Sequence, residues 1–322
     1  MNENSILIIN EAKMDFKHNI LKDIKYICFE NESKINPKTD LLFGKLKSLK
    51  FRDKIETLTI EYNSSLEDLN LLEFFPNVEK LLLYGSNIKN LKGIEKAKKI
   101  KYIIIETEKN RRRLIDGIEN LHLDDLEIRV ERREDIEVIS NCLSLNRLTL
   151  RGSFDFNIQK FSNLKISELS FIGGRYLELN NLKILSNLRK IQLGYCSKLE
   201  AFGKDNDNIV DLDIESCNKL NFTSIGYLSN LEKISIRSQK KINDLEWIKP
   251  LGKLLELEIT GTQINNIDFN PIIESKNLNK VWLSVSNKKI KEIGIANKNV
   301  KISNGDICIS KGANISIHDF DN

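Results

Sequence analysis

The sequence predicts an α/β solenoid, a stack of short coils that share one parallel β-sheet. Two observations predict it. Apolar residues recur in one six-residue frame at a near-constant interval, and that recurrence fills most of the chain. The frame opens at Ile55, Val78, Ile100, Leu123, Leu145, Ile166, Leu188, Ile209, Leu231, Leu254 and Leu278, with Val300 starting a last partial unit. From Ile55 to Val300 there are eleven intervals with a mean of 22.3 residues. Within the eleven full units, positions 1, 4 and 6 are apolar in 33 of 33 cases, far more than a 40% apolar chain gives by chance. Positions 4 and 6 fall on one side of a strand, because side chains alternate at period two. A single coil cannot bury that side alone, so neighbouring coils must stack on it.

Each element follows in order. Residues 1–54 contain the strand-like runs Ile6-Leu7-Ile8-Ile9 and Tyr26-Ile27-Cys28-Phe29, read as an N-terminal cap with room for one irregular first coil. Residues 55–299 form eleven coils, and residues 300–322 a C-terminal β cap. In that cap Ile307-Cys308-Ile309 and Ile315-Ser316-Ile317 alternate around Asn304-Gly305-Asp306, a tight-turn signal. The length alone would allow two ordinary domains, but the repeat leaves no room for a second and predicts one elongated domain.

Written out, as in Val78-Glu79-Lys80-Leu81-Leu82-Leu83, the frame is L-x-x-L-x-L-x-x-(N/C)-x-L. That resembles the leucine-rich repeat signature. Position 9 holds Asn63, Ser86, Ser153, Cys196, Cys217, Gln239, Thr262 and Ser286, while Glu108, Glu131 and Gly174 depart from the pattern. The back halves continue with Ile88, Leu91 and Ile94, or Leu220, Ile225 and Leu228, at the spacing of the 22-residue internalin-like class. The resemblance covers about residues 55–303. It implies a curved parallel sheet on the concave face, short 3₁₀ or irregular turns on the convex face, and a protein-binding lane at positions 3, 5 and 7. Internalins are exported, and neither an export signal nor an anchor is visible here, so their surface role does not carry over.

Composition narrows the function. No run approaches 18 consecutive apolar residues, so no membrane span is expected. The start Met1-Asn2-Glu3-Asn4-Ser5 lacks a basic, apolar leader. Cys28, Cys142, Cys196, Cys217 and Cys308 are odd in number and form no CxxC, which points to a reducing, cytoplasmic setting. Abundant Ile, Lys and Asn hint at an AT-rich, bacterial genome. The lane sums to −2 whereas the whole chain is +4. A nucleic-acid binder concentrates cations on its binding face, so nucleic acid is not the expected ligand.

The lane carries the candidate site. Leu82 and Tyr84 in coil two lie beside Tyr102 and Ile104 in coil three, an exposed apolar and tyrosine cluster of the kind that anchors partners. Ordinary solenoid surface, or cover by the N-terminal cap, is the competing reading. Trp282 is a second anchor or is covered by the C-terminal cap. Arg111, Arg112 and Arg113, with Arg132 and Arg133 stacked beyond them, form a basic edge, read as a solvated loop or as a landing site for an acidic protein. Asp211, Asp213 and Glu215 make an acidic row, but Lys190, Lys233 and Arg237 are its expected neighbours and would neutralise it. Carboxylates along a strand do not converge on a metal.

Catalysis finds little support. His18, His122 and His318 are scattered, and phosphate-loop, HExxH and GxSxG motifs are absent. Cys196 and Cys217 read as buried ladder thiols, and no cofactor is implied. The reading is a monomeric, non-enzymatic protein-binding scaffold. Its sharper form is a bacterial immunity or antitoxin protein that neutralises a toxin. The alternatives are an intracellular effector that binds host proteins, and a metal-dependent enzyme built on the acidic row.

Overall fold

The computed structural model describes residues 6–10, 25–30, 39–61, 64, 66–84, 87–106, 114–130, 132–152, 157–175, 178–262, 264, 267–284, 300–303 and 306–310. The chain divides into two compact units, Met1–Ser167 and Glu168–Asn322. Both are built from the same coil.

In the first unit, seven strands pair in chain order: β1 (Ile6–Asn10), β2 (Tyr26–Glu30), β3 (Thr57–Ile60), β4 (Lys80–Tyr84), β5 (Tyr102–Glu106), β6 (Asp125–Arg129) and β7 (Arg147–Arg151). All are parallel, and the register sets Ile6, Tyr26, Thr57, Lys80, Tyr102, Asp125 and Arg147 side by side. The parallel pairing thus continues through Tyr26–Glu30 to Ile6–Asn10, within the segment expected as a cap. Alternation does the rest. Leu58, Leu81, Ile103 and Leu126 at position 4 are fully buried, as are Ile60, Leu83 and Ile128 at position 6. Burying such a side chain contributes about 1.5–3 kcal/mol.

The back of each coil is a short 3₁₀ segment, such as Asn70–Phe74, Ile94–Lys96 or Ile118–Asn120. Among the described residues three α-helices interrupt this economy, α1 (Thr39–Ser48), α2 (Arg133–Ser140) and, in the second unit, α3 (Asn270–Glu274). Helix α2 buries Ile136 and Ile139, and Arg132 holds its start. The Arg132 amide donates to Asp135 Oδ2 at 3.1 Å, and its Nε and Nη2 donate to Oδ1 at 3.2 and 2.7 Å. Of the two arginines expected on a basic edge here, Arg132 is spent on Asp135, which is buried, whereas Arg133 is exposed.

The second unit repeats the plan with β8 (Glu168–Ile172), β10 (Lys190–Gly194), β12 (Asp211–Glu215), β13 (Lys233–Arg237), β14 (Glu256–Thr260) and β15 (Lys280–Ser284) in parallel order. The two-residue strands β9 (Glu178–Leu179) and β11 (Ala201–Phe202) pair separately, on the back of the coils. Beyond β15 the polarity reverses. Strand β17 (Asp306–Ser310) runs antiparallel to β15 and to β16 (Val300–Ser303). Val300 therefore does not begin a twelfth coil; it begins the outer strand of a hairpin, as a β cap requires. Residues 315–317 lie outside the described residues.

After β7, β8, β10, β12, β13 and β14 the chain leaves the strand through a left-handed residue at position 8, whereas Val130 after β6 does not. Gly152, Gly173, Tyr195, Ser216, Ser238 and Gly261 all have positive φ. In the second unit the amides of Gly173, Tyr195, Ser216 and Ser238 still bond the next coil's carbonyls at 2.8–3.1 Å. This turn swings position 9 inward. Cys196, Cys217, Gln239 and Thr262 are buried there, and the Cys217 thiol donates to Leu193 O and Glu215 O at 3.6 and 3.5 Å. The other polar position-9 residues, Asn63, Ser86, Ser153 and Ser286, lie outside the described residues, as do Glu108 and Glu131. A second ladder precedes position 1. Asn77 donates to Asp53 O at 2.5 Å, Asn230 to Asp207 O at 2.5 Å, and Asn277 to Gly252 O. Lys99 and Lys253 then cap Asn77 and Asn230, each at 2.7 Å.

Candidate functional site

The outward face of the first unit gathers the aromatic cluster. Positions 3, 5 and 7 point away from the core, so the register alone sets Thr59, Leu82 and Ile104 in one row. Tyr102 stands between Lys80 and Asp125 in the row before, and Tyr84 stands beside Glu106 in the row after. Leu82, Tyr84, Tyr102 and Ile104 are each half-buried. The register sets these four on two neighbouring strands, and they are half-buried where the sequence predicts an exposed patch. Tyr26 extends the cluster by one coil. Its hydroxyl meets Thr59 Oγ1 at 2.7 Å, and Thr59, although outward-facing, is fully buried.

Burial pushes the Tyr26 and Tyr84 phenols upward. Tyr102 is pushed up to about 12 by burial, then by the Glu127 and Asp125 carboxylates. All three therefore remain protonated donors at neutral pH. Around them the charges pair: Asp125 with Arg147 at 2.9 Å, Glu127 with Arg151 at 2.5 Å and Glu106 with Arg129 at 3.7 Å. The Arg129 Nε is buried without a hydrogen-bond partner, which costs about 1–3 kcal/mol. Where the chain runs into β4–β7, a groove of about 550 Å³ is lined by Lys80, Lys101, Tyr102, His122, Asp125 and Arg147.

In the acidic row of the second unit two of the three carboxylates meet a cation and the third a phenol. Asp211 lies 3.9 Å from Lys190, and Arg237 Nη2 grips both Asp213 oxygens at 2.8 and 2.7 Å. Glu215 accepts from the Tyr195 hydroxyl at 3.0 Å. Burial raises the Asp211 carboxyl, against Lys190 and Lys233. Among the described residues, no group of three or more His, Cys, Asp or Glu could hold a metal ion.

Trp282 is half-buried between Glu258 and Cys308 in the register. Arg111, Arg112 and Arg113 lie outside the described residues, as do His18 and His318. The ladder thiols are fully buried. The hydrogen bond between the two ladder thiols pushes Cys217 up and Cys196 down, and burial takes Cys142 to about 12; both ladder thiols are fully buried, so neither is open to a substrate.

Sequence reasoning missed two contributors. Tyr26 had a signal, because Ile24-Lys25-Tyr26-Ile27-Cys28-Phe29 is the coil frame one unit ahead of Ile55. Tyr195 had none that the frame reveals. It is 58% exposed and sits in the left-handed region at φ 55°, where a bulky residue is unusual.

Stacked parallel coils, an inward ladder and an outward lane define the leucine-rich repeat fold. One solved structure shares the fold over most of this chain, and two others resemble it less closely. A complex of TLR13 with ssRNA13 superposes with a TM-score of 0.54 at 18% identity, over 82% of this chain and 43% of that one. An internalin from Listeria monocytogenes gives 0.44 at 16%, over 83% and 77%. A leucine-rich repeat protein from Leptospira interrogans gives 0.36 at 16%, over 85% and 88%. At such identities the likeness is one of fold. This chain spans less than half the length of the TLR13 chain. No protein-family model matches the sequence, and no curated protein does.

Proposed function

We propose that this chain is a non-enzymatic scaffold that holds a protein partner on the outward face of its first unit. One observation carries the reading: Leu82, Ile104, Tyr84 and Tyr102 form a contiguous half-buried cluster on a lane that the stacking of coils does not require to be apolar. Rigid aromatic and aliphatic anchors supply most of the affinity in protein interfaces. A sheet held by neighbours on both sides is preorganised, which lowers the entropy lost on binding. The pairing of the acidic row with Lys190 and Arg237 favours this reading over a metal-dependent enzyme.

The sharper form is a neutralising protein of a bacterial cytoplasm that covers a toxin's working surface. It rests on the apolar cluster of the lane and on the lysine- and asparagine-rich composition. The test is affinity capture from the cells that make the protein, comparing wild type with a Leu82→Asp/Ile104→Asp variant shown to be folded by circular dichroism. A stoichiometric protein lost from the variant is expected, and its identity decides between toxin and host target. Capture of nothing, or of a partner the variant retains, overturns the proposal.

A further inference from the structure

Three polar groups beside the cluster are unspent. Position 3 holds a lysine in four coils, and three of them are paired across the sheet: Lys190 with Asp211 at 3.9 Å, Lys233 with Glu256 at 3.7 Å and Lys280 with Glu256 at 2.5 Å. Lys80 is the exception, because its cross-strand neighbours are Thr57 and Tyr102. Lys101, exposed on the next coil, also pairs with no carboxylate among the described residues, and the Tyr102 hydroxyl makes no hydrogen bond among them. All three line one groove of about 550 Å³. By contrast, the Arg147 guanidinium in that groove is already held by Asp125.

We infer that this groove receives a single carboxylate of the protein partner, an Asp or Glu side chain held by Lys80, Lys101 and the Tyr102 hydroxyl. The inference rests on the partner-binding reading above and adds the partner's chemistry. Tyr102 suits the role because its phenol stays protonated and donates. A discrete anion fits better than a polyanion, since Glu79, Asp124 and Asp125 also line the groove and would repel a run of phosphates. Tyr102 and Ile104 are two residues apart on β5, about 7 Å along the strand. The partner's acidic residue must therefore lie about that far from the apolar side chain seated on Leu82 and Ile104. Two residues apart in an extended segment satisfies this, and so does a three- or four-residue spacing on a helix.

The test is selection from a random-peptide display library against the full chain and against a Lys80→Glu/Lys101→Glu variant, both shown to be folded. Wild type is expected to enrich peptides with Asp or Glu near Leu, Ile or Phe, and the variant to enrich Lys or Arg in the acidic place. A synthetic peptide selected on wild type should bind the variant about tenfold or more weakly and recover when its Asp is exchanged for Lys. Tyr102→Phe should weaken the wild-type peptide with no such recovery. The same signature on both proteins, no acidic enrichment, no enrichment at all, or tighter binding of a single-stranded RNA oligonucleotide overturns the inference. The Leu82→Asp/Ile104→Asp variant separates the two claims. Peptides lost on it but indifferent to the lysines overturn only the carboxylate. Peptides that need the lysines but ignore the cluster overturn the reading beneath.

Discussion

The two units use one kind of core and two different surfaces. Their buried positions are interchangeable in kind, with Leu58, Leu81 and Ile103 in the first matching Ile191, Leu212 and Ile234 in the second. Their lanes are not. In the second unit nearly every outward side chain has a partner within the sheet: Asp211 with Lys190, Asp213 with Arg237, Glu256 with Lys233 and Lys280, Ser170 with Gln192, Ser235 with Glu258. In the first unit the lane centres on Leu82, Tyr84, Tyr102 and Ile104, and it leaves the Lys80 ammonium and the Tyr102 hydroxyl unspent. Stacking fixes what lies inside a coil and leaves positions 3, 5 and 7 to other demands. A lane that satisfies itself asks for nothing, whereas apolar anchors and unspent donors leave the first lane able to take the partner proposed above.

The equality of the cores is the easiest part to break. Leu81→Ala in the first unit and Leu212→Ala in the second, both fully buried, should each cost about 2–5 kcal/mol by denaturant unfolding. A cost below about 1 kcal/mol in either unit would show that its coils are not packed as described. Hydrogen exchange strand by strand would localise the loss, because repeat arrays need not unfold in one step.

The turns give a smaller effect with two signs. Ser238 has φ 54° and Gly261 φ 60°, both in the left-handed region. Ser238→Gly should gain up to about 1 kcal/mol by removing Cβ strain, and Gly261→Ala should lose about as much. Melting of the two variants checks this, and a loss for Ser238→Gly would show that its side chain matters more than its backbone. Smaller again is Arg237→Met. It leaves Asp213, 21% exposed, without its guanidinium, and should cost about 0.2–1 kcal/mol, an effect that shrinks with added salt.

The last prediction sharpens the contrast between lanes by titration. Tyr102 has its folded value raised from 10.0 to about 12. Its contribution to stability is therefore complete below pH 10 and is lost as pH rises through about 12. In an absorbance titration the Tyr102 phenol should ionise late, beyond Tyr26 and Tyr84, which are also raised, and Tyr102→Phe should abolish the latest step. A chain whose tyrosines all titrate near 10 would mean that the cluster is open to water.

Much of this was legible in the residues. Positions 1, 4 and 6 predict the coil because a period-two strand must bury them, and the pairing of Lys190 with Asp211 follows from register alone. The start of the sheet was harder to read. From Ile24 to Ile55 the frame skips 31 residues, and helix α1 lies within the gap, so the coil carrying Tyr26 falls outside the 22-residue rhythm. Arg237 was legible only to its neighbourhood. It faces Glu215 in the register yet bonds Asp213 on the diagonal, while Glu215 accepts from Tyr195. Reach and competition of that kind depend on rotamers, which spacing does not contain. The asparagines ahead of position 1 were visible as a recurring letter. Their role emerged only when Asn77 and Asn230 were seen to close the preceding coil's carbonyls.

The central claim is that the first unit's lane, and not the second's, meets the partner. The most direct measurement is photo-crosslinking in the cells that make the protein, with a photoreactive amino acid in place of Leu82 in one variant and of Asp213 in another. The account predicts a discrete crosslinked protein from position 82 and none from position 213. A crosslink from 213 with none from 82 would contradict it and move the interface to the charge-paired lane.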